Sequence, residues 1–165
     1  MTTPATANGA NVLAGVITMA RVGAWRADLD LDLEDPAVVT GDVTIALDGL
    51  EWKGTAVEVG AFVGRVKVRV VGGANGLGKR TQPKFYAGIP ARVVAEEALA
   101  EGEEVLSPPA DAGKLGTLLP LWTRQAGTVG EVLEQLLDEL GATWRILRDG
   151  TVWIGTESWP EAEVK

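Results

Sequence analysis

Residues 25–34 read WRADLDLDLE. Four acids, Asp28, Asp30, Asp32 and Glu34, alternate there with Ala27, Leu29, Leu31 and Leu33. A period of two puts successive side chains on opposite faces of a β-strand. The run therefore reads as a half-buried strand, with Trp25 on the leucine face and Arg26 on the acidic one. As a loop, Asp28-x-Asp30-x-Asp32 would match the start of a calcium-binding EF-hand, which needs Gly at its sixth position and Glu at its twelfth. Leu33 and Val39 stand there instead. Same-face side chains on a strand also stand roughly 6–7 Å apart, too far for three carboxylates to share one tight ion. The comb is the polar side of a sheet.

The same periodicity returns in RVKVRVV, residues 65–71, with Val66, Val68 and Val70 on one face and Arg65, Lys67 and Arg69 on the other. An acidic comb and a basic comb thus occupy one β-rich region. Paired across a ladder, opposite charges contribute roughly 0.2–1 kcal/mol per pair; unpaired, each comb is a solvated or partner-facing surface. Around them lie VLAGVITMA from Val12, then VTIAL with Val43, Ile45 and Leu47 inward, stopped by Asp48-Gly49. A further strand spans Glu51 to Val59, with Trp52 and a bulge at Gly54. About five short strands between turn signals predict a small barrel or sandwich.

Beyond the strands the pattern changes. GGANGLGKRTQPKFYAGIPA, residues 72–91, reads as a long Gly-rich connection of the kind that is functional or held by a partner. Pro90 opens a short helix over 91–101, and SPPADAG from Ser107 reads as a linker. Thr128-x-x-Glu131 is a capping box. It is followed by a helical stripe of Val129, Val132, Leu133, Leu136, Leu137 and Leu140, and then by the stop residue Gly141. Asp149-Gly150 predicts a type I′ hairpin with Trp144 and Trp153 on its arms. The expected organisation is α+β: a flexible arm over 1–11, a small antiparallel β-barrel over 12–75, short helices and a C-terminal hairpin over 76–156, and a polar tail over 157–165.

Composition limits the chemistry. The 165 residues are 46% hydrophobic and 23% charged, enough for a real core in one domain or two small ones. With no Cys and no His, disulfides, thiolate or imidazole metal sites and Ser-His-Asp catalysis are excluded. A net charge of −8 argues against general affinity for nucleic-acid backbones. The N-terminus lacks signal-peptide features, and no apolar run reaches the roughly 18 residues that span a bilayer, so no membrane partner is expected.

Gly73-x4-Gly78-Lys79 copies most of a phosphate-binding Walker A loop. Arg80 stands where the magnesium-binding hydroxyl belongs, and QPKFYAGIP follows in place of a helix. Carboxylate pairs beside tryptophan would suit a glycan hydrolase or glycan-binding module. Glu96/Glu97, Glu101/Glu103/Glu104 and Glu134/Asp138/Glu139, however, all sit where a solvated helix face puts them. No catalytic residue, cofactor or metal is expected.

The order of features resembles phage tail baseplate hub proteins, the late control protein D-like group that also occurs in contractile injection systems. The likeness is carried by Gly72, Gly73, Gly76 and Leu77 after a barrel strand, then by Tyr86, Ile89, Arg92, Val93, Gly102, Glu103, Leu106 and Ser107. It continues through Trp122, Arg124, Gly127, Leu133, Leu137, Gly141, Trp144, Arg145, Asp149, Gly150, Trp153 and Gly155. The resemblance implies a non-enzymatic virion component in the tail baseplate, made in the host cytoplasm. It would be a hub subunit joining tail tube to central spike, as a homo-oligomer of trimeric type, with genome DNA meeting it only in passage through the lumen. The acidic comb would face the basic comb or that lumen. Complete hubs are longer and carry a second tube barrel, so further parts are expected on another polypeptide, or the hub is pared down. Expected interface residues are Gly73, Gly76, Lys79, Arg80, Phe85, Tyr86 and Trp159. The reading from another class is the small glycan-binding or glycan-hydrolysing domain.

Overall fold

The computed structural model describes residues 4–108 and 110–156. Six strands, β1 (Thr6–Ala7), β2 (Ala10–Thr18), β3 (Arg26–Asp32), β4 (Asp42–Leu47), β5 (Leu50–Phe62) and β6 (Arg65–Gly72), close an antiparallel barrel in the order β1-β2-β3-β6-β5-β4. The period-two reading holds: Ala27, Leu29 and Leu31 of β3 and Val66, Val68 and Val70 of β6 are buried, with Trp25 beside them. Leu47, expected inward, is exposed, because β4 ends there and the Asp48-Gly49 turn carries it past the core.

The barrel begins earlier than expected. Residues 6–11, read as flexible arm, form a hairpin in which Thr6 pairs with both Asn11 and Ala46, so β1 is the strand that closes the barrel. Asn8 and Gly9 both take positive φ (47° and 83°), the requirement of a type I′ turn. The Asn8 amide donates to the carbonyls of Val38 and Asp42, and its oxygen accepts from the Thr44 N–H.

The second part packs on one end of the barrel. The supposed long connection contains β7 (Arg80–Thr81) and β8 (Lys84–Pro90), and the barrel strands are followed by α1 (Ala91–Glu101), α2 (Ala112–Leu115), β9 (Leu118–Arg124), β10 (Gly127–Thr128), α3 (Val129–Leu140), β11 (Thr143–Ile146) and β12 (Val152–Gly155). β8 pairs with β9, β7 with β10, and β11 with β12. The one-turn α2 lies in the stretch expected as linker, capped by the Asp111 carboxylate. Both halves of the Thr128/Glu131 capping box are made, and Gly141 ends α3 in the left-handed region.

The terminal hairpin docks on the barrel through backbone. The Lys53 N–H donates to the Arg148 carbonyl, the Gly23 N–H to Trp144 and the Ile146 N–H to Gly23. The Trp25 indole N–H donates to the Leu147 carbonyl, and its ring meets Trp52 edge-on at 5.4 Å. One continuous core results, running from Ala7 to Ile154. The hairpin turn itself is not type I′. Gly150 is left-handed (φ 84°) and Asp149 is not, so Leu147–Gly150 is a type I turn followed by a left-handed glycine.

Candidate functional site

The four strands β2-β3-β6-β5 run on beyond the part of the barrel that β1 and β4 close. On one margin β1 reaches β2 only at Ala10 and Asn11, plus a Val12 N–H bond to the Ala5 carbonyl. From Leu13 to Thr18 that edge has no backbone partner among the described residues. On the other margin β4 pairs with β5 only as far as Thr55, plus an Ala56 N–H bond to Gly41, and Val57 to Phe62 are open in the same sense. Each strand bulges where it leaves its neighbour, β2 at Leu13 and β5 at Val57. A bulge sharpens twist and ends pairing. Gly54, the expected bulge, has another role: a methyl there would overlap the Val71 carbonyl oxygen.

Both open edges are long and nearly uncharged. Residues 12–18 read VLAGVIT and 56–62 read AVEVGAF, with no Lys and no Pro to block pairing. Leu13, Val16, Val57, Phe62 and Val63 are exposed beside them.

The outward face of this sheet carries the two combs, brought into register. Asp28 stands opposite Arg69 and Asp30 opposite Lys67. The Arg69 guanidinium donates from Nε to Asp28 at 2.7 Å and from Nη1 to Glu58 of β5 at 3.1 Å. Those contacts, the Asp28 hydrogen bond first, raise the Arg69 pKa above its ordinary value. The Lys67 ammonium lies 5.7 Å from the Phe62 ring centre, and the buried Asp30 Oδ1 has no hydrogen-bond partner among the described residues. A cleft of about 570 Å³ lies over this region, with lining residues from all four strands. Among the described residues no His/Cys/Asp/Glu cluster is arranged to hold a metal.

The Gly-rich loop turns its donors inward. The Glu104 carboxylate, almost fully buried, accepts from the Ala74 N–H at 3.0 Å and the Gly76 N–H at 2.8 Å. The donors that a Walker loop would aim at phosphate are thus taken by the chain's own carboxylate. Lys79 pairs with Glu103 at 3.0 Å.

Tyr86 of β8 is buried and donates to Glu97 of α1 at 2.9 Å, while Lys84 binds the same carboxylate at 2.6 Å. Burial and then the bond to Glu97 push the Tyr86 pKa up to about 12. The Lys84 hydrogen bond, helped by Tyr86, holds Glu97 below the ordinary carboxylate range. Arg124 of β9, almost wholly buried, donates to Glu101 and to the Gln82 carbonyl. These bonds clamp α1 to the β8–β9 ribbon.

Of the expected interface residues, Gly73, Gly76 and Lys79 share the Gly-rich loop, where the Lys79 N–H donates to the Gly76 carbonyl. Gly73, Gly76 and Tyr86 face the chain's own interior, Lys79 is paired, and Arg80 and Phe85 are exposed on separate short strands. Trp159 lies outside the described residues. Trp25, Trp52, Trp122 and Trp144 are buried, and Trp153 lies under the Arg145 guanidinium, 4.8 Å away, so these five form no open stacking platform.

No family model matches the chain, and no curated protein matches it. Solved structures do share its fold. A 43 kDa tail protein of prophage MuSo2 from Shewanella oneidensis superposes with TM-score 0.68 at 14% identity, over 96% of this chain and 55% of that one. A tail protein from Neisseria meningitidis MC58 gives 0.67 at 15% identity, over 98% and 56%. The E. coli c3393 protein, a type VI secretion component described as structurally similar to the T4 tail proteins gp27 and gp5, gives 0.57 at 14% identity, over 92% and 48%. The chain therefore has the fold of these tail and secretion-system proteins and spans about half the length of each.

Proposed function

We propose that the chain is a structural, non-enzymatic subunit of a phage tail or related contractile injection machine, acting as a baseplate hub component between tail tube and central spike. The observation that carries this reading is the four-stranded sheet with two unblocked edges on opposite margins. An edge on β2 and an edge on β5 are different surfaces, so pairing them between copies is heterologous and closes a ring when the rotation per copy permits. The apolar side of the sheet is already covered by the barrel core, so a ring of such sheets turns the charged side toward its lumen. DNA would meet the protein only there. The partners are other hub subunits, in a trimer, with tube and spike proteins above and below; the location is the virion tail.

Cryo-EM of the particle that contains the chain tests this. The expected result is density for the barrel in a ring at the junction of tube and spike, with β2 of one copy beside β5 of the next. A particle whose tail lacks the chain overturns the reading. In solution, Leu13→Lys with Val57→Lys places charge on both open edges and is expected to abolish oligomers while leaving the circular dichroism spectrum unchanged.

A further inference from the structure

The outward face of the β2-β3-β6-β5 sheet is electrically balanced in a chain that is not. Its acids are Asp28, Asp30, Asp32 and Glu58, and its bases are Arg26, Arg65, Lys67 and Arg69, four of each, whereas the whole chain carries −8. The excess acid lies elsewhere, so long-range repulsion is not what this face is built for.

The arrangement of the balance is specific. Same-face side chains on β6 repeat at roughly 6.6 Å, about twice the 3.4 Å of helix axis that each phosphate of one DNA strand occupies. Alone, Arg65, Lys67 and Arg69 would be a phosphate-binding row. Two of the three face acids: Arg69 stands between Asp28 on β3 and Glu58 on β5, and Lys67 stands opposite Asp30 on β3, whereas Arg65 stands opposite Phe62. Arg69 donates to both Asp28 and Glu58. Half-exposed ion pairs of this kind contribute little to stability, so stability alone does not account for carboxylates on both sides of one row.

We propose that Asp28 and Glu58, bonded to Arg69, together with Asp30, which stands opposite Lys67, offset the β6 cations and keep this face from holding a polyanionic backbone such as duplex DNA. Arg69 must give up its two carboxylate partners before it can take a phosphate, and the Asp30 charge opposite Lys67 already balances that ammonium, so the gain from counterion release is reduced at both. The purpose of the mask rests on the conduit reading above: a lumen wall of balanced charge neither grips nor repels the genome. The mask itself does not depend on that reading.

The test uses the full chain and a fluorescently labelled 20-base-pair duplex, followed by anisotropy across a salt series. Wild type is expected to bind only weakly. The variant D28N/D30N/E58Q is expected to bind at least tenfold tighter at low salt, with a steep salt dependence, and adding K67Q/R69Q is expected to return binding to the wild-type level. The off-face control D48N/E134Q/D138N changes net charge equally and is expected to gain far less. A masked-face variant no tighter than wild type, or no tighter than the control, overturns the proposal, as does tight binding that survives K67Q/R69Q. Side chains of Asp28 and Glu58 are 50% and 73% exposed, so D28N/E58Q carries the same test with a smaller gain if replacing Asp30 destabilises the fold. Absence of the chain from tails would overturn the conduit reading and leave this result standing.

Discussion

Asp28 and Arg69 face each other across the β3–β6 ladder, and the Asp28 Oδ1 accepts from the Arg69 Nε at 2.7 Å. The pair sits on a half-exposed surface, where water and salt screen the attraction. The thermal midpoint of Asp28→Asn is therefore expected to lie close to wild type at low salt and to coincide with it at 1 M salt. A large drop that persists at high salt would mean that the pair holds the barrel together.

Glu104 is the opposite case, a buried carboxylate whose two oxygens accept loop N–H groups 28 and 30 residues away. Glu104→Gln keeps the shape but replaces one acceptor with a donor, and is expected to cost about 2 kcal/mol by urea unfolding. Glu104→Ala strands both N–H groups and is expected to cost about 3 kcal/mol. Equal stability in wild type and both variants would show that the loop finds other acceptors.

Glycines of the same loop separate by packing. A methyl on Gly76 would overlap the Gly102 carbonyl at the end of α1, whereas one on Gly78 meets nothing within 4 Å. Gly76→Ala is expected to destabilise on the order of 3 kcal/mol, and Gly78→Ala to stay near wild type. Thermal melts of the two single variants decide this, and a reversed order would contradict the loop geometry.

What the sequence disclosed followed the range of the interaction. Period-two alternation in β3 and β6 and the Thr128/Glu131 box are local, and they named the barrel's charged face and α3 correctly. The Asn8-Gly9 turn was also local, but β1 is two residues long and its partner Ala46 is remote, so the arm reading prevailed. β8 and β9 escape pattern reading because Gly88, Pro90 and Pro120 interrupt any alternation, and the strands pair across 28 residues or more. The open edges are invisible to pattern reading, since an edge is defined by which strand fails to arrive. The Glu104 clamp was hidden likewise, in a run of acids that looked like a solvated helix face.

Tyr86 and Glu97 give stability a pH signature at both ends. Glu97 is held below its ordinary carboxylate range in the folded state. Its contribution is therefore present above the unfolded value near 4.3 and is lost as pH falls through the lower folded one. Tyr86 moves the other way, from an ordinary value near 10 up to about 12. A phenol that ionises less readily when folded contributes fully below pH 10, and that contribution fades as pH rises from 10 to 12. Tyr86 is the chain's only tyrosine, so tyrosinate absorbance at 295 nm reports it without overlap. The expected midpoint is near pH 12 in native protein and near pH 10 in 8 M urea. Tyr86→Phe removes the bond to Glu97 while Lys84 keeps its own. That variant is expected to lose about 1 kcal/mol at pH 7 and to flatten the alkaline limb of urea midpoint against pH. A native titration near pH 10 would show that the Tyr86 hydroxyl is solvated and that its bond to Glu97 is not formed.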